Sequence, residues 1–138
     1  VKHVLVVEDD PMSAKLFEMI LSRKGHFQVG VSDKPGDILA RARSGEVDLV
    51  VMDVSLGDAT YEGRHIDGVG ITRLLKQDAT TRSIPVVLAT AHAMQGDRER
   101  LLAESGAEGY IAKPILDHDR FLGLVNSLVR NGVAEHSS

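Results

Sequence analysis

The stretch Asp48-Leu49-Val50-Val51-Met52-Asp53 decides how the rest of the chain is read. Its apolar run is too short for a helix of its own and lacks the alternation of a half-exposed strand. It predicts a strand buried on both faces, and such strands belong to parallel sheets covered by helices on each side. In open sheets of that kind, ligands gather at the carboxyl ends of the strands. Asp53 is thereby placed at the rim.

Upstream, Val4-Leu-Val-Val7 is a second run of the same type and ends in three acids, Glu8-Asp9-Asp10. Asp10-Pro11 reads as an N-cap followed by proline at the first helical position, with Leu16, Phe17, Ile20 and Leu21 forming an apolar face before Gly25. Asp10 is therefore assigned to capping rather than to metal binding. Phe27 to Val31 predicts a weaker strand, and Ser32 to Gly45 a helix with Ile38, Leu39 and Ala42 inward. Downstream, Ser55 to Asp67 carries two glycines and no apolar period, which predicts a long surface loop. A helix is expected from about Gly68 to Asp78, burying Ile71, Leu74 and Leu75. Pro85 opens the strand Val86-Val-Leu-Ala89, which ends at Thr90. A charged helix from Asp97 to Ser105 is closed by Gly106, and the strand Gly109-Tyr-Ile-Ala112 ends at Lys113-Pro114. The last helix starts near Asp117, turns Phe121, Leu124, Val125 and Leu128 inward, and is expected to stop before Gly132.

Strand and helix thus alternate five times over, with most strands apolar throughout. This predicts an α/β fold, a parallel sheet doubly wound by helices. Residues 1–132 are expected to form one domain, 133–138 a frayed tail, with no output domain following. A net charge of -4 gives no electrostatic reason for direct nucleic-acid binding. The absence of cysteine excludes a disulfide framework and a thiolate metal site. No apolar run approaches membrane-spanning length and no signal peptide is visible, so a cytoplasmic location without membrane contact is expected. The histidines, His3, His26, His65, His92, His118 and His136, show no ligand spacing, and most are expected at the surface.

At the strand ends stand Glu8 and Asp9, then Asp53, Thr90 and Lys113. All are polar, and the topology would bring them together. Three carboxylates held close repel one another unless a cation neutralises them. With oxygen ligands only and an open, hydrated position, that cation is expected to be Mg²⁺. A hydroxyl and an ammonium beside it could hold the oxygens of a phosphoryl group transferred to an aspartate.

Taken together, Val4-Leu-Val-Val-Glu-Asp9, Leu49-Val-Val-Met-Asp53, Pro85-Val-Val-Leu-Ala-Thr-Ala91 and Tyr110-Ile-Ala-Lys-Pro114 resemble, in content and order, the receiver domain of two-component response regulators. The resemblance covers roughly residues 2 to 130 and implies a flavodoxin-like (βα)₅ fold of strand order 2-1-3-4-5. It implies Asp53 as phosphoacceptor. It also implies Glu8, Asp9, Asp53 and the backbone carbonyl of Ser55 around Mg²⁺, with Glu8 acting through water. Thr90 and Lys113 match the groups that bind phosphoryl oxygens, and Tyr110 matches the aromatic that swings as Thr90 moves. The implied activity is self-catalysed phosphotransfer from a sensor histidine kinase or histidine phosphotransfer protein, with autodephosphorylation, rather than turnover of an external substrate. Output would pass to a downstream protein target, and a homodimer through the fourth and fifth helices is a further state the family allows.

The clearest departure lies after Asp53. The family's usual proline is replaced by Gly57, and the turn to Asp67-Gly68 is several residues longer. A tolerated insertion explains this cheaply, because loop-closure entropy grows slowly with length. A competing reading makes Tyr61, Arg64 and His65 a contact patch for a kinase or target, with His92 in a second docking loop. Three alternatives stand beside the receiver reading. A dehalogenase-like phosphatase is opposed by Ser55, where that class has a second aspartate. A flavodoxin is opposed by the acids after the first strand, which repel phosphate. A phosphorylation-independent pseudo-receiver acting as a protein-binding module is opposed by the intact set of site residues.

Overall fold

The structure is a computed structural model that describes residues 2–91 and 93–137, with side chains described as far as residue 129. Short apolar runs do form the centre of the sheet. β1 (His3–Val7), β2 (Gln28–Ser32) and β3 (Leu49–Asp53) are joined by α1 (Pro11–Met19) and α2 (Pro35–Arg43). A two-residue ladder, β4 (Thr60–Tyr61) with β5 (Arg64–His65), precedes α3 (Gly68–Gln77). Then follow β6 (Val86–Thr90), α4 (Asp97–Ser105), β7 (Gly109–Ala112) and α5 (His118–Ser137). The main sheet is parallel, in the order β2-β1-β3-β6-β7. Numbered among themselves, its strands follow the order 2-1-3-4-5, as the family resemblance implies.

Side chains on the central strands alternate between two cores because successive Cβ atoms point to opposite faces. Leu5, Val7, Val50, Met52, Val86 and Leu88 pack under α2 and α3 with Ile38, Leu39, Ile71 and Leu75. Val4, Val6, Leu49, Val51, Val87 and Ala89 pack on the other face with Phe17, Ile20, Leu21, Phe121 and Val125 from the α1 and α5 sides. β3 is buried along its whole length, which the unbroken apolar run requires.

Four local features differ from the expectations. α1 does not run uniformly to Gly25; its last turn, Ile20–Lys24, is a π-helix in which the Gly25 amide reaches back to the Ile20 carbonyl. α2 begins at Pro35 instead of Ser32, since Ser32 still belongs to β2 and proline is pre-organised for a first helical position. The stretch between β3 and α3 is not wholly a loop. It folds back as the β4–β5 hairpin, turning through Glu62 and Gly63, both at positive φ (52° and 79°). α5 continues through Gly132 to Ser137 over the residues expected as tail; one glycine costs a helix only about 1 kcal/mol.

Candidate functional site

Each strand end delivers one part of the site. Asp10, at the start of α1, accepts hydrogen bonds from the Ser13 amide at 3.2 Å and the Ser13 hydroxyl at 2.8 Å. This cap lowers the Asp10 pKa and uses its carboxylate locally, as its position before Pro11 suggests. Glu8 and Asp9 are free of that duty. Glu8, Asp9 and Asp53 each place a carboxylate oxygen within 4.8 Å of the others. Glu8 and Asp53 are buried, whereas Asp9 is exposed at the lip.

Lys113 enters this group from the end of β7. Its Nζ donates to Glu8 Oε1 at 2.8 Å and lies 3.4 Å from Asp53 Oδ1. Burial works against the ammonium, but the two carboxylates outweigh it and hold its pKa above the usual lysine value. At Glu8 burial prevails instead. Burial, then the pressure to share a proton with Asp53, raises its carboxyl to about 7 against the pull of Lys113. Its second oxygen, Oε2, is buried with no hydrogen-bond partner among the described residues. One ammonium therefore does not satisfy three acids. A hard divalent cation would supply the missing positive charge, so the donor set fits Mg²⁺.

The remaining predicted residues fall into two groups. Ser55 is exposed, and its amide donates to Asp53 Oδ1 at 3.2 Å. Thr90 is buried at the end of β6, directly after Ala89, the register partner of Asp53. Its carbonyl accepts from the Lys113 amide at 2.8 Å, and the Lys113-Pro114 peptide that follows is cis. Tyr110 is half-buried against the core that includes Leu101 of α4; its hydroxyl is buried without a hydrogen-bond partner among the described residues, and burial raises its pKa. Tyr61, Arg64 and His65 lie apart on the hairpin. Arg64 and His65 are exposed, but Tyr61 packs against the core. His92 lies outside the described residues.

A profile of the response regulator receiver domain matches residues 4–126. The chain belongs to the response regulator receiver family. It is 35% identical over 126 residues to the polar-differentiation response regulator DivK of Brucella ovis, covering 91% of this chain and 94% of that one. Among solved structures it resembles the receiver domain of a sensor histidine kinase from Pseudomonas aeruginosa, at 26% identity and TM-score 0.76, over 93% of this chain and 97% of that one. That domain holds a magnesium ion in its active-site cleft. A receiver domain of a histidine kinase from Syntrophus aciditrophicus is similar at 26% identity and TM-score 0.77, over 95% of this chain and 92% of that one.

Three features of this receiver were not found from its sequence. The first is Gly68, whose backbone is pressed against Asp53: a Cβ there would overlap the Asp53 carbonyl oxygen, while the Gly68 amide donates to the Val54 carbonyl at 3.0 Å. The pair Asp67-Gly68, a cap followed by glycine, was the available signal. The second is the hairpin, which walls a cleft of about 630 Å³ beside Asp9, lined also by Asp33, Lys34, Asp58 and Thr60. The third is a hydrogen bond from the Gly57 amide to Asp9 Oδ2 at 3.0 Å. No sequence rule pairs two residues so far apart in the chain.

Proposed function

We propose that this receiver is a phosphorylation-dependent switch that takes a phosphoryl group from a phosphohistidine donor onto Asp53. The observation that carries the reading is the convergence of Glu8, Asp9 and Asp53 within 4.8 Å beside the Lys113 ammonium. An Asp53 oxygen forms the new P–O bond in line as the P–N bond to the donor imidazole breaks, and the bonding pair leaves on the imidazole nitrogen. Lys113 would neutralise charge on the transferring group, and the Thr90 hydroxyl would hold one of its oxygens. Glu8, Asp9, Asp53 and the Ser55 carbonyl would hold Mg²⁺, whose contribution when bound is to offset the charge shared by acceptor and phosphoryl oxygens. Tyr110, with its hydroxyl buried beside α4, would carry the change to the α4–β7–α5 face, a two-state element biased by a local charge.

Receivers as a family work with histidine kinases or phosphotransfer proteins. Our reading adds a downstream protein target, a cytoplasmic location where kinases are charged, and homodimerisation as one available output. Among the described residues no helix is long and apolar enough to cross a membrane. On the hairpin, Arg64 and His65 are the proposed partner contacts, because Tyr61 is committed to packing. Replacing both by alanine should slow transfer from the partner kinase several-fold and leave labelling by acetyl phosphate unchanged; an equal loss with both donors would assign them a structural role instead.

Intact-mass measurement after incubation with acetyl phosphate, with and without Mg²⁺, tests the central claim. The expected result is the gain of one phosphoryl group in the unsubstituted chain with Mg²⁺, and none in Asp53→Asn or after chelation. If neither acetyl phosphate nor a charged kinase labels the chain, the pseudo-receiver reading takes its place.

A further inference from the structure

Position 57 departs from the family pattern, and the departure changes what the backbone can do. A proline there has no N–H. Gly57 has one, and it donates to Asp9 Oδ2 at 3.0 Å, from the loop after β3 to the loop after β1. Asp9 is the exposed member of the three acids, with no other hydrogen bond to its carboxylate among the described residues. An exposed carboxylate with nothing to hold it rotates freely about its side-chain torsions. The amide removes that freedom while leaving acceptor capacity over, since a carboxylate offers about four lone-pair sites. In this held position Asp9 still has an oxygen within 4.8 Å of Glu8 and Asp53.

We propose that Gly57 is a positioning residue for the metal site, its amide orienting the Asp9 carboxylate toward the divalent cation. The proposal rests on the metal-dependent reading of the site given above. It is specific to this chain, since it needs both a residue other than proline at 57 and a loop that approaches Asp9. The rim altered by the insertion thus gains an anchor that a family-typical sequence lacks. Gly57 does not occupy the left-handed region, and a Cβ there would stand 3.4 Å from Asp9 Oδ2, an ordinary contact. Alanine should therefore preserve the donor, and proline should remove it.

Titration calorimetry with Mg²⁺ alone on the unsubstituted chain, Gly57→Ala and Gly57→Pro separates the outcomes. The expected result is a Kd for Gly57→Ala within about twofold of the unsubstituted chain, and a Kd for Gly57→Pro weaker by about tenfold, the lower end of what losing a ligand-orienting partner costs. Equal Kd values in all three would overturn the role of Gly57 and leave the metal site standing. No Mg²⁺ binding in the unsubstituted chain would instead overturn the site reading, and this proposal with it. If Gly57→Pro does not fold, amide exchange on the unsubstituted chain decides. The Gly57 amide should be protected, remain so when Mg²⁺ is added, and lose protection in Asp9→Ala. Release of that amide by Mg²⁺ would mean that it substitutes for the ion rather than guiding its ligand, and would overturn the proposal.

Discussion

Lys113 is the residue on which metal binding and the proposed transfer would pull in opposite directions. Its ammonium, 2.8 Å from Glu8 and 3.4 Å from Asp53, competes with any cation for the same carboxylates. In the proposed transfer, that same charge would meet the phosphoryl oxygens. Lys113→Ala should therefore tighten Mg²⁺ binding several-fold while slowing acetyl phosphate labelling by about a hundredfold, the cost of losing one preorganised charge donor. Calorimetry and timed intact-mass measurements on one preparation would check both. A parallel loss of metal affinity and labelling would mean that Lys113 chiefly holds the site together. The identity of this residue was legible in the sequence because it ends a short strand and precedes proline. Its bond to Glu8 was not, since 105 positions separate them and only the strand order makes them neighbours.

α3 is attached to the sheet through an approach that tolerates no side chain. At Gly68 a Cβ would overlap the carbonyl of Asp53, so Gly68→Ala must push the start of α3 away from β3. Overpacking of this kind costs about 1–3 kcal/mol. Denaturant unfolding should show that loss, and labelling of Asp53, the proposed acceptor, should fall with it because the start of α3 packs directly on its backbone. Unchanged stability would show that α3 can shift without penalty. The strands and helices around this junction were readable because burial on both faces writes itself as an apolar run, and one-sided burial as spaced Ile71 and Leu75. The β4–β5 hairpin was not readable. Thr60-Tyr61 and Arg64-His65 have no apolar alternation, and Glu62 takes a left-handed conformation usually held by Asn, Asp or Gly. The register of this hairpin is anchored instead by buried Leu56 and Ala59 and by half-buried Tyr61 and Ile66, contacts that exist only once the core is assembled.

The two helices over one face of the sheet are tied at its edge by charge as well as packing. Arg43 at the end of α2 meets Asp78 just after α3 at 2.9 Å. Hydrogen bonds from Thr80 first, and then from Arg43, hold the Asp78 carboxyl down to about 2, against an ordinary value of 3.8. The folded chain thus binds this proton less readily than the unfolded one. Its contribution to stability is complete above the ordinary value and is lost as pH falls toward the depressed one. Thermal melts of the unsubstituted chain and Asp78→Ala should differ most near neutrality and converge as pH falls to about 2. A gap that stays constant with pH would mean that the turn is held by packing alone. The chain contains no tryptophan and two tyrosines, and they report on different structures: Tyr61 on the hairpin over the core, Tyr110 beside α4 at the edge of the sheet. In Tyr61→Phe the tyrosine emission would come from Tyr110 alone. The receiver would then carry a built-in optical probe at the residue proposed for the switch, with which the proposed phosphorylation could be followed in real time without an attached dye.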